Sequence, residues 1–151
     1  MKIGILGVGD IVRRVTPALK ALPEITCYAL ASRTPGKAEA FAREHGFEKV
    51  YTSYEAMLSD PEVELVYVAT PHSHHFEHMM LCLKYGKHVI CEKSFTLNAQ
   101  QAETVFAAAK QKGLYVAEAI WTRYMPARQM LNEILCSGVI GTANTLTANL
   151  S

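Results

Sequence analysis

No apolar run in this chain approaches the roughly 20 residues that a membrane-spanning helix needs, so no span is expected. Charge of either sign is also scarce in excess. Lys and Arg total 15 against 14 Asp and Glu, a net of +1, which argues against a nucleic-acid or membrane-surface binder. The four cysteines, Cys27, Cys82, Cys91 and Cys136, form no Cys-x-x-Cys pair. Three of them lie in apolar contexts, which reads as reduced core thiols of a cytoplasmic protein. The apolar start is interrupted by glycines and Asp10, and no cleavage site follows, so it is not read as a secretion signal. Repeats, linkers and low-complexity segments are absent as well.

What is present is a regular alternation. With 151 residues, half of them hydrophobic, the chain can build one domain with a sizeable core. Short apolar strands are expected at 2–6, 25–31, 50–51, 65–69, 88–91 and 114–117. Helical patterns lie between them. The first carries Ile11, Val15, Ala18, Leu19 and Leu22 on one stripe. The fourth carries Phe76, Met79, Met80 and Leu83 at i, i+3, i+4 and i+7. Asn98 with Gln101 reads as a capping box, and a last helix is expected from Pro126 to Cys136. Strands alternating with helices six times predict an α/β fold, a doubly wound parallel sheet of the Rossmann type. From Thr142 to Leu150 the pattern changes to alternation of period two. That reads as the first strand of a second, antiparallel α+β domain, dividing the chain into 1–140 and 141–151.

The first strand runs into Gly7-Val8-Gly9-Asp10-Ile11, which opens a helix. This is the context a dinucleotide fingerprint requires. Gly7 permits the tight turn, Gly9 lets a pyrophosphate approach the backbone, and the helix N-terminus offers N–H groups and partial positive charge. Val12 stands where the fingerprint has its third glycine. NAD-binding sites usually place a carboxylate at the end of the second strand. Here that edge reads Ala31-Ser32-Arg33-Thr34, with Lys37 one turn on. Ser32 can donate to a ribose 2′-phosphate, and Arg33 can pair with it and cover the adenine. The expected cofactor is therefore NADP(H), with NAD less favoured.

Thr70 and Pro71 end the fourth strand, on the edge where ligands bind in open parallel sheets. His72 and His75 follow in the first helical turn and can approach the same crevice. His74 and His78 are four apart, a zinc-like spacing. The expected core face turns them outward and no third ligand accompanies them, so no metal is expected. The fifth strand ends in Glu92-Lys93, which would be an ordinary solvated pair without the cradle upstream. In that sheet, Lys93 can reach a bound substrate. Trp121 and Arg123 follow the sixth strand and can wall a nicotinamide pocket as well as simply pack.

With these residues in view, the chain resembles the Gfo/Idh/MocA family of oxidoreductases. The likeness rests on the glycine pair, Ala-Ser-Arg at 31–33, Thr-Pro-x-x-x-His at 70–75 and Gly-Lys-His-Val-Ile-Cys-Glu-Lys at 86–93. Glu118-Ala-Ile-Trp-Thr-Arg-Tyr-Met-Pro-Ala127 is similar to the branch that holds dihydrodiol and NADP-dependent xylose dehydrogenases. Ser94 stands where the family has proline. The resemblance implies hydride transfer between NADP(H) and a sugar or diol hydroxyl. Lys93 would be the catalytic residue at the reacting oxygen, Glu92 would tether it or touch the ribose, and Trp121 and Arg123 would shape the nicotinamide end. It also implies a substrate domain beyond this chain that supplies the other acid/base group, a homo-oligomer when full length, and no turnover by these 151 residues alone. The competing readings are a non-catalytic nucleotide-binding module and a truncated, inactive fragment.

Overall fold

The computed structural model of the chain describes residues 1–34 and 36–149. These fall into two units, Met1–Ala119 and the residues from Ile120 onward.

The first unit holds six strands in one parallel sheet. They are β1 (Lys2–Leu6), β2 (Thr26–Ala31), β3 (Lys49–Tyr51), β4 (Leu65–Val68), β5 (His88–Cys91) and β6 (Val116–Glu118). Their spatial order is β3-β2-β1-β4-β5-β6, the arrangement of a dinucleotide-binding doubly wound sheet, with its switch point between β1 and β4. The helices of this unit are α1 (Asp10–Lys20), α2 (Lys37–His45), α3 (Tyr54–Leu58), α4 (His75–Lys84) and α5 (Ala99–Gln111). Asn98 Oδ1 accepts the Gln101 N–H at 2.9 Å, which caps α5 as the sequence predicts.

The core forms on both sheet faces, as a buried parallel sheet demands. One cluster joins Ile3, Ile5, Leu30 and Tyr67 to Val12 of α1 and Phe41 of α2. The other joins Val66, Val68, Val89 and Cys91 to Met57, Met79, Leu83 and Val105. Burial pushes the thiols of Cys82 and Cys91 far up, so both stay protonated.

Two helical stripes have the expected period and a different phase. In α1 the buried residues are Val12 and Thr16, with Val15 and Leu19 packed beside them, while Ile11 lies at the surface. The residue in the third fingerprint position is thus the one that meets the sheet. Burying it contributes about 1.5–3 kcal/mol. Thr16 can join that face because its hydroxyl donates to the Val12 carbonyl at 2.7 Å. In α4 the buried residues are His75, His78, Met79, Cys82 and Leu83. The expectation that His78 faces outward is therefore corrected: its ring is held inside by a hydrogen bond to Thr70.

The second unit consists of a short 3-10 turn at Trp121–Tyr124 and α6 (Pro126–Ser137), which ends at Gly138 in the left-handed conformation. Residues 141–149 carry no strand. An alternating segment becomes a strand only by pairing, and no partner strand for it exists among the described residues. Leu150 lies outside them.

Candidate cofactor site

The carboxyl ends of β1, β2, β4 and β5 carry the candidate residues. After β1 the chain turns sharply at Gly7, whose φ is +94°, a conformation costly for any residue with a Cβ. A Cβ there would also sit 2.8 Å from the Ala69 carbonyl oxygen. Gly9 differs. It caps α1 in an extended conformation without a side-chain hydrogen bond, and a Cβ on it would meet nothing within 4 Å. The first-turn N–H groups of α1 are left without a side-chain acceptor at their cap, the state in which a helix terminus receives an anion.

Beside this turn lies a cavity of about 310 Å³. Gly7, Val8 and Gly9 form one wall; Ser32, Arg33, Thr34 and Lys37 form the second. Ala69, Thr70, Pro71 and Tyr54 complete it. Asp10 and Ile11, expected as cofactor contacts, do not line it and instead form the start of α1. Ser32 Oγ accepts the Thr34 N–H at 3.1 Å, which leaves its own hydrogen free to donate. The Arg33 guanidinium stands 6.0 Å from the centroid of the Tyr54 ring. Three groups able to hold a phosphate, Ser32, Arg33 and Lys37, thus share one rim with no carboxylate among them. The open space at Gly9, the uncapped helix and this basic rim fit a nucleotide bearing an extra phosphate. Sequence reasoning passed over Thr34, Tyr54 and Ala69. Tyr54, directly after the Ser53 cap of α3, had as its signal only an aromatic beside a basic rim.

At the end of β5, Glu92 is buried while Lys93 is exposed. The Glu92 carboxylate accepts hydrogen bonds from the Tyr67 hydroxyl and, at 3.1 Å, from the Lys93 backbone N–H. Glu92 thus holds the backbone of the lysine that follows it. Burial and the neighbouring carboxylate push the Tyr67 hydroxyl well up, so it remains a donor. Tyr67 was the other residue missed; its signal was a hydroxyl inside a continuous apolar strand. The Lys93–Ser94 peptide bond is cis.

The histidines separate by role. His72 is exposed in a 3-10 turn before α4. His75, expected beside a cofactor, is fully buried, with Nδ1 2.7 Å from the Ser94 carbonyl oxygen and Nε2 2.8 Å from that of Thr70. It thereby joins the end of β4 to the segment that follows β5. His78 Nδ1 lies 2.8 Å from Thr70 Oγ1, and burial depresses its pKa to about 4, which keeps the ring neutral. Trp121 and Arg123 belong to the second unit. Arg123 there lines a groove with Tyr124, Arg128 and Asn132.

The sequence model of an oxidoreductase family with an NAD-binding Rossmann fold, GFO/IDH/MocA, matches residues 1–119. The chain belongs to this family. Among characterised relatives it is similar to the D-xylose 1-dehydrogenase (NADP(+)) of Hypocrea jecorina, with 40% identity over 163 residues, covering 100% of this chain and 42% of that protein. It is similar also to human trans-1,2-dihydrobenzene-1,2-diol dehydrogenase, with 40% identity over 143 residues, covering 93% of this chain and 43% of that one. A solved relative is KijD10, a 3-ketoreductase from Actinomadura kijaniata in complex with NADP. It superposes with a TM-score of 0.87 at 37% identity, covering 93% of this chain and 45% of its own. The chain thus spans less than half the length of the family relatives it matches.

Proposed function

We propose that this chain is the NADP(H)-binding part of an oxidoreductase that moves hydride to or from a hydroxyl-bearing carbon of a sugar or trans-dihydrodiol. The observation that carries the reading is the position of Lys93. It follows the end of β5 with its backbone held by a buried carboxylate, on the same sheet edge as a nucleotide cradle whose rim is basic. The named relatives act on D-xylose with NADP(+) and on a dihydrobenzenediol, and KijD10 holds NADP.

The cofactor, when bound, supplies the hydride chemistry. The Gly7–Gly9 turn and the first N–H groups of α1 receive its pyrophosphate, by backbone donation and the helix dipole. Ser32 donates to the 2′-phosphate, and Arg33 and Lys37 offset its charge. Thr70 and Pro71 form the floor, with His72 at its outer rim. Lys93 reaches the substrate oxygen: its ammonium donates there as negative charge develops during reduction, and its amine takes the proton during oxidation. Glu92 keeps the lysine's backbone in place. Trp121 and Arg123 are assigned to the cofactor by their place after the sixth strand and by the family resemblance. A domain boundary near Gly141 rests on the change to period-two alternation there, a cytoplasmic setting on the apolar contexts of the cysteines, and a homo-oligomeric whole protein on the family resemblance.

The test is turnover. A protein that includes a downstream substrate domain should reduce NADP(+) with D-xylose or a trans-dihydrodiol, followed by nicotinamide absorbance. The 151-residue chain should bind NADPH and turn over neither. Absence of turnover across a panel of pentoses, hexoses and aromatic diols would overturn the assignment.

A further inference from the structure

His75 makes more hydrogen bonds than a neutral imidazole can donate. Both its ring nitrogens face backbone carbonyl oxygens, Ser94 at 2.7 Å and Thr70 at 2.8 Å. A carbonyl oxygen only accepts, and a neutral imidazole carries one N–H. Both bonds therefore form together only when both nitrogens carry hydrogen. The ring is fully buried, where an ionised group persists only if its hydrogen bonds are satisfied. The titratable groups around it are His72, whose ring centroid is 5.4 Å away, His78 through Thr70, and Lys93 and Glu92, the two residues before Ser94 in sequence.

The two carbonyls belong to different parts of the site. Thr70 floors the nucleotide cavity, and its Cγ2 lies 3.4 Å from where a Cβ on Gly7 would stand. Its hydroxyl is held separately by His78. Ser94 is joined directly to Lys93. From Thr70, which lines the same cavity as the glycine turn, a line of hydrogen bonds and covalent links thus runs through His75 to Ser94 and the lysine. We propose that His75 is a positioning residue whose ring, donating from both nitrogens, ties the floor of the nucleotide cradle to the Lys93–Ser94 turn and so aligns Lys93 with the bound nucleotide. This rests on the cofactor reading above, and it assigns His75 to neither the chemistry nor a direct cofactor contact.

Two measurements on the 151-residue chain test it. The first needs no cofactor. A ¹⁵N–¹H spectrum of the histidine rings should show two ring N–H signals that vanish in His75→Gln; a single N–H at His75 overturns the tie. The second reads Lys93 by reductive methylation and mass spectrometry at saturating NADPH. In the parent, bound NADPH should shield Lys93. In His75→Gln, one charge-assisted hydrogen bond is lost, about a tenfold change in the equilibrium it governs. Shielding should fall by about that factor at full NADPH occupancy. In His75→Ala, added imidazole should restore it, a rescue that a loss of global stability would not show. Parent-level shielding in His75→Gln, or failure of imidazole to restore it in folded His75→Ala, overturns the proposal. If the parent binds no NADPH, the cofactor reading fails and the alignment with it, while the ring spectrum still decides whether the tie exists.

Discussion

The two glycines of the first turn should fail in opposite ways when each is replaced by alanine. At Gly7 the backbone holds φ at +94°, where a side chain costs about 1–3 kcal/mol. The new methyl would also stand 2.8 Å from the Ala69 carbonyl oxygen and 3.1 Å from its carbon. Those are backbone atoms, held by the Ala69 N–H donating to the Leu6 carbonyl at 2.9 Å. They yield only if the end of β4 moves, and overpacking of this kind costs about 1–3 kcal/mol more. Gly7→Ala should therefore lose about 2–6 kcal/mol of stability, a fall in Tm of roughly 4–24 °C for a domain of this size. Gly9→Ala meets neither obstacle, since its φ is −98° and a Cβ there touches nothing within 4 Å. Its stability should stay within about 0.5 kcal/mol of the parent. The methyl would instead occupy the space where a pyrophosphate approaches the backbone, so NADPH affinity should fall by about tenfold or more. Thermal melts and NADPH fluorescence titrations on the same two variants read both effects. Parent-like affinity in Gly9→Ala, or a parent-like melt in Gly7→Ala, would refute this account of the turn.

Lys93→Met in the active whole protein should lower kcat by about 100-fold or more while NADPH affinity changes only a few-fold, the signature of a group acting at the reacting oxygen. Tyr67→Phe removes one of the two donors to the buried Glu92 carboxylate and should cost about 1–3 kcal/mol in urea unfolding. Because burial depresses the pKa of His78 from 6.5 to about 4, the unfolded chain binds a proton there that the folded one refuses. Stability from this site is present above pH 6.5 and is lost as pH falls toward 4; unfolding curves across that window should show the slope, and His78→Asn should flatten it. Hydrogen bonds from Tyr51 and Lys49 hold the Asp60 carboxyl well below the usual range. Its contribution is complete above about pH 4 and is lost in stronger acid, so Asp60→Asn should weaken the neutral-pH fold and narrow the gap to parent on acidification.

Strand positions were legible because a parallel sheet covered on both faces leaves continuous apolar runs, as at Leu65–Val68. The glycine turn and the basic rim were legible because backbone geometry and phosphate charge each restrict the residue types that serve. The faces of α1 and α4 were less so. Thr16, His75 and His78 count as polar in a periodic pattern, yet each is buried by a hydrogen bond to the chain around it. Apolar periodicity does not register these bonds, and the one from His75 to Ser94 also spans 19 residues. Tyr67 was hidden in the same way, as a hydroxyl whose partner, Glu92, arrives from the next strand. At 142–149 alternation alone did not produce a strand, because the ladder that defines one needs a neighbour.

The central claim is that Ser32, Arg33 and Lys37 select a nucleotide carrying a 2′-phosphate and present it to the glycine turn. Parallel fluorescence titrations of the 151-residue chain with NADPH and NADH test it most directly, repeated on Arg33→Ala. The account predicts that NADPH binds at least about tenfold more tightly and that Arg33→Ala weakens NADPH while leaving NADH nearly unchanged. Equal affinity for the two cofactors, or an equal loss of both in the variant, would contradict it.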